Sequence, residues 1–181
     1  MGDVKRKFAT ILATDCVGFS KHMLEDEQAT FESLNACREI IDSLIEQHGG
    51  RIFHTAGDSV LADFESPIET VNCAIKFQEA IQERNETISD EDPRRKLLWR
   101  IGIHSDDVIF EKDNVYGNGV NIAARLEAQC VPGQILVSRV INEQVASRIE
   151  AISRAAGTKK LKNISSEFEV FTISTDKTNN L

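Results

Sequence analysis

Ala9-Thr10-Ile11-Leu12-Ala13-Thr14 shows no alternation of wet and dry positions, and the run stops at an acid, Asp15. A strand with one wet face alternates; an unbroken apolar run belongs to a strand covered on both faces, inside a sheet. The chain therefore has to build a sheet around residues 8–14 and deliver Asp15 to the rim of that sheet. Gly18 gives the backbone freedom to turn directly after it. A second acid has a matching setting. Asp58 follows Gly57 between Arg51–Thr55 and Ser59–Phe64, which read as the two strands of a hairpin. Carboxylates at strand ends suit a hard divalent cation such as Mg²⁺ or Mn²⁺. A metal held by two of them, with positions left open, is equipped for chemistry on nucleotide phosphates.

Around these two acids the pattern predicts a mixed order of elements. After the turn at 15–20, Phe31, Leu34, Cys37, Ile40, Ile41, Leu44 and Ile45 recur at helical spacing, and Gly49-Gly50 ends that helix. Ser66-Pro67-Ile68-Glu69 is a capping box that opens a second helix reaching about Asn85. The charged stretch Glu86–Lys96 reads as a surface loop. Leu97–His104 is a strand, with Val108–Phe110 as a segment that pairs with it. A third helix covers Gly117–Ala128, a strand covers Gln134–Ser138, a short helix covers Val140–Val145, and a closing strand covers Glu167–Ile173. Ser174–Leu181 reads as a frayed tail. The expected fold is α+β: a mostly antiparallel sheet with helices packed on one face. With no repeat and no linker, residues 1–181 are expected to form one domain with its core over about 8–173.

Composition narrows the function classes. A net charge of −8 argues against a protein that offers nucleic acid a broad basic face. No apolar run is long enough to span a membrane and the first residues lack a signal-peptide core, so the expected compartment is the cytoplasm. Cys16, Cys37, Cys73 and Cys130 form no C-x-x-C pair and read as reduced, inert thiols.

Six segments, in order, carry a resemblance: Asp15-Cys16-Val17-Gly18-Phe19-Ser20, Gly57-Asp58-Ser59-Val60-Leu61-Ala62-Asp63-Phe64, Ile101-Gly102-Ile103-His104-Ser105, Tyr116 to Glu127, Pro132 to Ser138, and Leu161-Lys162-Asn163. Together they resemble the catalytic domain of class III nucleotidyl cyclases, the adenylate/guanylate cyclase family, whose core is ferredoxin-like. The resemblance implies conversion of a nucleoside triphosphate into a 3′,5′-cyclic monophosphate and pyrophosphate. It implies that Asp15 and Asp58 hold two Mg²⁺ or Mn²⁺ ions per site. It also implies that the backbone of Cys16, Val17, Gly18 and Phe19 lies under the phosphates, where main-chain N–H groups at a turn before a helix can cradle an anion. Asn121 and Arg125, four apart on a helix, would orient the ribose and stabilise charge on the α-phosphate. Lys162 would bind the terminal phosphates, although Lys159 and Lys160 beside it also fit a solvated basic run. In the family geometry the aspartates come from one subunit and Asn121, Arg125 and Lys162 from the other, so a homodimer with composite sites is implied.

The positions that resemble the base readers depart from the adenine pattern. His54 stands where lysine is usual, and Asn114 where aspartate or threonine is usual. Neutral histidine can donate or accept, and asparagine does both, so several base edges can satisfy the pair. Compact relatives that make cyclic pyrimidine nucleotides in bacterial antiviral signalling are similar to this chain, and the reading leans to UTP or CTP. An adenylate cyclase with a rebuilt pocket is the alternative. A cyclase-like module that binds nucleotide without turning it over is the rival from another class.

Overall fold

The computed structural model describes residues 4–175. The apolar run becomes the middle of β1 (Lys5–Cys16), a 12-residue strand paired antiparallel on both sides. Its partners are β3 (Ser59–Phe64) and β4 (Trp99–Glu111). Successive side chains of a strand point to opposite faces, which explains why no alternation is visible. Leu12 and Cys16 enter one core, and Ala9, Ile11 and Ala13 enter another on the far side of the sheet.

The remaining elements are α1 (Phe19–Glu25), α2 (Glu27–Gln47), β2 (Arg51–Ala56), α3 (Pro67–Glu86), β5 (Asn114–Tyr116), α4 (Asn118–Gln129), β6 (Ile135–Ser138), α5 (Arg139–Val145), β7 (Ile152–Lys160) and β8 (Glu167–Ser174). The eight-stranded sheet runs β2-β3-β1-β4-β6-β8-β7, with β5 paired to β4. All pairings are antiparallel except β4 with β6, so the fold is the expected mostly antiparallel α+β sheet.

Helices α2, α3 and α5 cover one face. They contribute Leu34, Cys37, Ile41, Ile45, Val71, Phe77, Ile81, Ile141 and Val145 to the larger core. The expectation of helices on one face describes these three. Helix α4 packs on the other face, where Ala123 joins Ile11 and Val108. Its approach is set by Gly102 of β4: a methyl group there would run into the backbone nitrogen of Glu127 and the carbonyl oxygen of Ala123. A bare α-carbon is what lets α4 lie against the strand.

Local chemistry fixes the helix starts. The Ser66 hydroxyl accepts from the Glu69 N–H at 3.2 Å, as the capping box requires, while the Glu69 carboxylate pairs with His48 at 2.9 Å. The stretch after the turn forms two helices rather than one. Asp26 is extended (φ −159°, ψ 98°) and its carboxylate caps α2 by accepting from Ala29 N–H at 3.0 Å. The segment 108–110 is a correction: it continues β4 without a break, and its partners are β1 and β5 rather than residues 97–104. Strands β5 and β7 were not predicted. β7 is almost wholly exposed, so no buried face marks it in the sequence. Its register with β8 shifts between Ala155 and Thr158. The expected frayed tail lies outside the described residues from 176 onward. Among the described residues no helix is long and apolar enough to cross a membrane.

Gly102→Ala is expected to lower unfolding free energy at or above the upper end of the ~1–3 kcal/mol typical of overpacking, because the obstacle is backbone rather than a flexible side chain. Urea titration checks this, and an unchanged midpoint would mean that α4 can shift freely.

Candidate active site

Two turns meet at the end of β1. The first leaves β1 at Asp15 and Cys16 and enters α1 through Gly18, whose φ of 65° lies in the left-handed region. The second is the β2–β3 hairpin tip that carries Asp58. They are joined by one hydrogen bond: the Cys16 N–H donates to Asp58 Oδ2 at 2.9 Å. Asp58, 42 residues from Cys16 in sequence, thus comes to the same place as Asp15.

The neighbourhood is crowded with acid. Glu127, near the end of α4, approaches the same spot with a side chain only 12% exposed. Arg100 stands among these groups. It is the β4 residue opposite Asp15 in the register, and it grips that carboxylate with two bonds, Nε to Oδ1 at 3.0 Å and Nη2 to Oδ2 at 2.8 Å. Its Nη1 donates to the Ala128 carbonyl at 3.2 Å, and its Nε lies 3.1 Å from Glu127 Oε1.

Electrostatics follow from this crowding. Burial raises the Asp58 carboxyl above its ordinary range, and the Asp15 charge adds to that, against the lowering effect of its backbone N–H bonds. Burial first, and then Asp15, push Glu127 well above the ordinary glutamate range. Arg100 is held more firmly protonated, chiefly by its bond to Asp15. The Cys16 thiol is pushed up to about 12 by burial and by Asp58, so it is an inert neighbour rather than a nucleophile.

The phosphate turn is partly committed already. Besides the Cys16 N–H, the Val17 N–H is taken, donating to the Leu98 carbonyl at 2.8 Å. The N–H groups at the start of α1, from Phe19 on, are ones that a helix's own ladder leaves unused. Asn121 and Arg125 lie together on α4, but on the side away from its buried residues Gly119, Ile122, Ala123 and Leu126. Among the described residues neither has a polar partner within the chain. Among the described residues neither is bonded to Asp15 or Asp58 of the same chain. Lys162 is exposed beside buried Leu161, in the turn before β8. His54 is exposed on β2, next to a bulge at Phe53. Asn114 is exposed at the start of β5, and its Nδ2 donates to the Tyr116 hydroxyl at 3.2 Å. Arg51 ties the two regions together by donating to the Asp113 carbonyl at 3.0 Å.

The donors present are two carboxylates, all oxygen, which suit Mg²⁺ or Mn²⁺ rather than a thiophilic metal. Among the described residues no group of three or more histidine, cysteine or acidic side chains is arranged to hold a metal ion. Arg100 and the role of Glu127 were missed in the sequence. The available signal was a single charge at position 100 between Trp99 and Ile101, both fully buried.

The comparisons agree with this architecture. Residues 4–174 match the model of the adenylate and guanylate cyclase catalytic domain. The "Putative adenylate cyclase 3" of Rhizobium meliloti is 35% identical over 170 residues, which is 93% of this chain and 28% of that protein. The chain thus spans well under a third of that curated relative. An adenylate/guanylate cyclase/hydrolase from Silicibacter pomeroyi superposes with a TM-score of 0.87 at 34% identity, over 96% of this chain and 100% of the other. The adenylyl cyclase CyaB from P. aeruginosa shares the fold at a TM-score of 0.82 and 22% identity, over 96% and 97% of the two chains.

With divalent ions chelated, stability is expected to fall as pH rises above the ordinary glutamate range. The folded state keeps a proton on Glu127 that the unfolded chain has released, so unfolding gains ground with pH. Glu127→Gln should flatten that slope in urea titrations at several pH values. An equally steep slope in the variant would mean that another group carries it.

Proposed function

The chain belongs to the adenylate and guanylate cyclase catalytic domain family, and on that premise we propose that it is a metal-dependent nucleotidyl cyclase working as one catalytic domain. The observation that carries the reading is the meeting of Asp15 with Asp58 through the Cys16 N–H. Those two carboxylates would hold Mg²⁺ or Mn²⁺. Two such ions, when bound, make the ribose 3′-hydroxyl more acidic and neutralise the triphosphate. The 3′-oxygen then bonds to the α-phosphorus in line, the bond to the bridging oxygen breaks, pyrophosphate leaves and the hydroxyl proton is released.

The chain's own groups position these atoms. The first N–H groups of α1 receive phosphate oxygens, with Gly18 keeping the backbone close. The Asn121 amide holds the sugar, the Arg125 guanidinium takes charge growing on the α-phosphate, and Lys162 takes the terminal phosphates. Asn121 and Arg125 face away from the buried side of α4 and have no polar partner among the described residues. That supports a homodimer in which each site borrows them from the neighbour. His54 and Asn114 read the base, and the reading keeps its lean to UTP or CTP, with ATP as the alternative. A pyrimidine product would place the chain in bacterial antiviral signalling, acting in the cytoplasm.

Incubation with each of four nucleoside triphosphates and Mn²⁺, followed by product mass measurement, tests the activity and identifies the base. Absence of any cyclic product would favour the inactive binding module. Asp15→Ala and Asp58→Ala are each expected to abolish turnover while the circular dichroism spectrum is kept; full activity in either removes that residue as a ligand. Arg125→Ala should lower kcat more than it raises KM.

Mixing the Asp15→Ala and Arg125→Ala proteins should restore about a quarter of wild-type activity, since half of randomly re-paired dimers carry one intact site of two. No recovery under subunit exchange would argue against composite sites.

A further inference from the structure

We propose that Arg100 is a built-in counter-cation that competes with the divalent ion for Asp15 and withdraws onto Glu127 when the ion binds. The inference rests on the reading of Asp15 as a metal ligand. Arg100 occupies both oxygens of Asp15 side-on, at 3.0 and 2.8 Å. Charge-assisted bonds in this paired geometry are among the stronger polar contacts that a protein makes. A cation that coordinates Asp15 must share these oxygens with the guanidinium or displace it.

The guanidinium has a second seat within reach. Glu127 Oε1 lies 3.1 Å from Arg100 Nε yet accepts no hydrogen bond of proper geometry, although it is buried. A buried carboxyl oxygen left so is costly, and a small rotation of the guanidinium plane would satisfy it. The bond from Nη1 to the Ala128 carbonyl anchors the same side chain to the end of α4. Arg100 can thus release Asp15 without carrying its charge out to water. The two seats lie on different elements, Asp15 on β1 and Glu127 on α4, and Gly102 of β4, the strand paired with β1, lets α4 lie close.

The charge count favours this exchange. Asp15 and Asp58 bring two carboxylates to one guanidinium, and Glu127, which keeps its proton, adds an accepting oxygen but no charge. A divalent ion is still attracted, and once bound it repels the guanidinium toward Glu127. The consequence is a site that remains neutralised and ordered without its ion, and that binds the bare ion more weakly than two free carboxylates would.

The test is direct Mn²⁺ binding to the nucleotide-free full chain, read from the electron paramagnetic resonance signal of free Mn²⁺. Arg100→Met is expected to tighten binding about tenfold, the equivalent of one lost charge-assisted bond. Arg100→Lys keeps the charge but cannot grip both oxygens, and it should tighten binding nearly as much. Glu127→Met removes the second seat, since it offers no accepting oxygen, and should weaken binding more in the wild-type background than in the Arg100→Met background. Circular dichroism establishes that each variant is folded. Wild-type affinity in Arg100→Lys would mean that charge alone matters and would overturn the proposal. Weaker binding in Arg100→Met would also overturn it, by making Arg100 a support for Asp15 rather than a rival of the metal. Asp15→Asn is the control: if it binds Mn²⁺ like the wild type, the metal reading of Asp15 itself has failed.

Discussion

Carboxylates gathered in a half-buried place repel one another and lose hydration, so they stay together only if positive groups and N–H donors stand between them. At the end of β1 those donors are the Cys16 N–H, which takes Asp58, and Arg100, which takes Asp15. Much of the architecture serves that arrangement. β1 must be central so that its end is fixed by neighbours on both sides. β4 must be beside it so that Arg100 stands across from Asp15. α4 must come close to β4 so that Glu127 reaches the group. The site is thus a property of how three elements converge, which no single motif contains.

How much of this was legible in the sequence depends on whether a pattern is local. Helices with one apolar stripe declare themselves, as α2 and α3 do, and so does the hairpin around Asp58. The cap at Asp26 was visible only as a residue type, and it divides what reads as one helix into two. β7 has no buried face to show, since its cover is a single neighbouring strand. The place of α4 on the opposite face was implicit in β1, whose unbroken apolar run requires two covered faces. Asp15 and Asp58 were legible because each sits at a strand end beside a turn. Arg100 was not, because its meaning is its register partner on β1, and register is a long-range fact.

The two halves of the proposed site differ in how they are held. Asp15 and Asp58 are tied down by bonds within the chain, whereas Asn121, Arg125 and Lys162 make none among the described residues. Groups already bonded are ordered before any ligand arrives, and groups without partners pay the cost of ordering when it does. A site divided in this way has a rigid metal-facing half and an adaptable phosphate-facing half. The His54 and Asn114 pair belongs to the second kind in exposure, although the Tyr116 hydroxyl restrains the asparagine.

The irregular outer strand β7 bears on how copies of this protein can meet. Straight, unguarded borders of a sheet invite another chain to extend the ladder. Here the border carries Arg154, Lys159 and Lys160, and the slip in register between Ala155 and Thr158 bends its row of peptide groups. Growth by end-to-end zippering is discouraged on that flank. The closed pair proposed above would then meet through broad faces rather than through this rim.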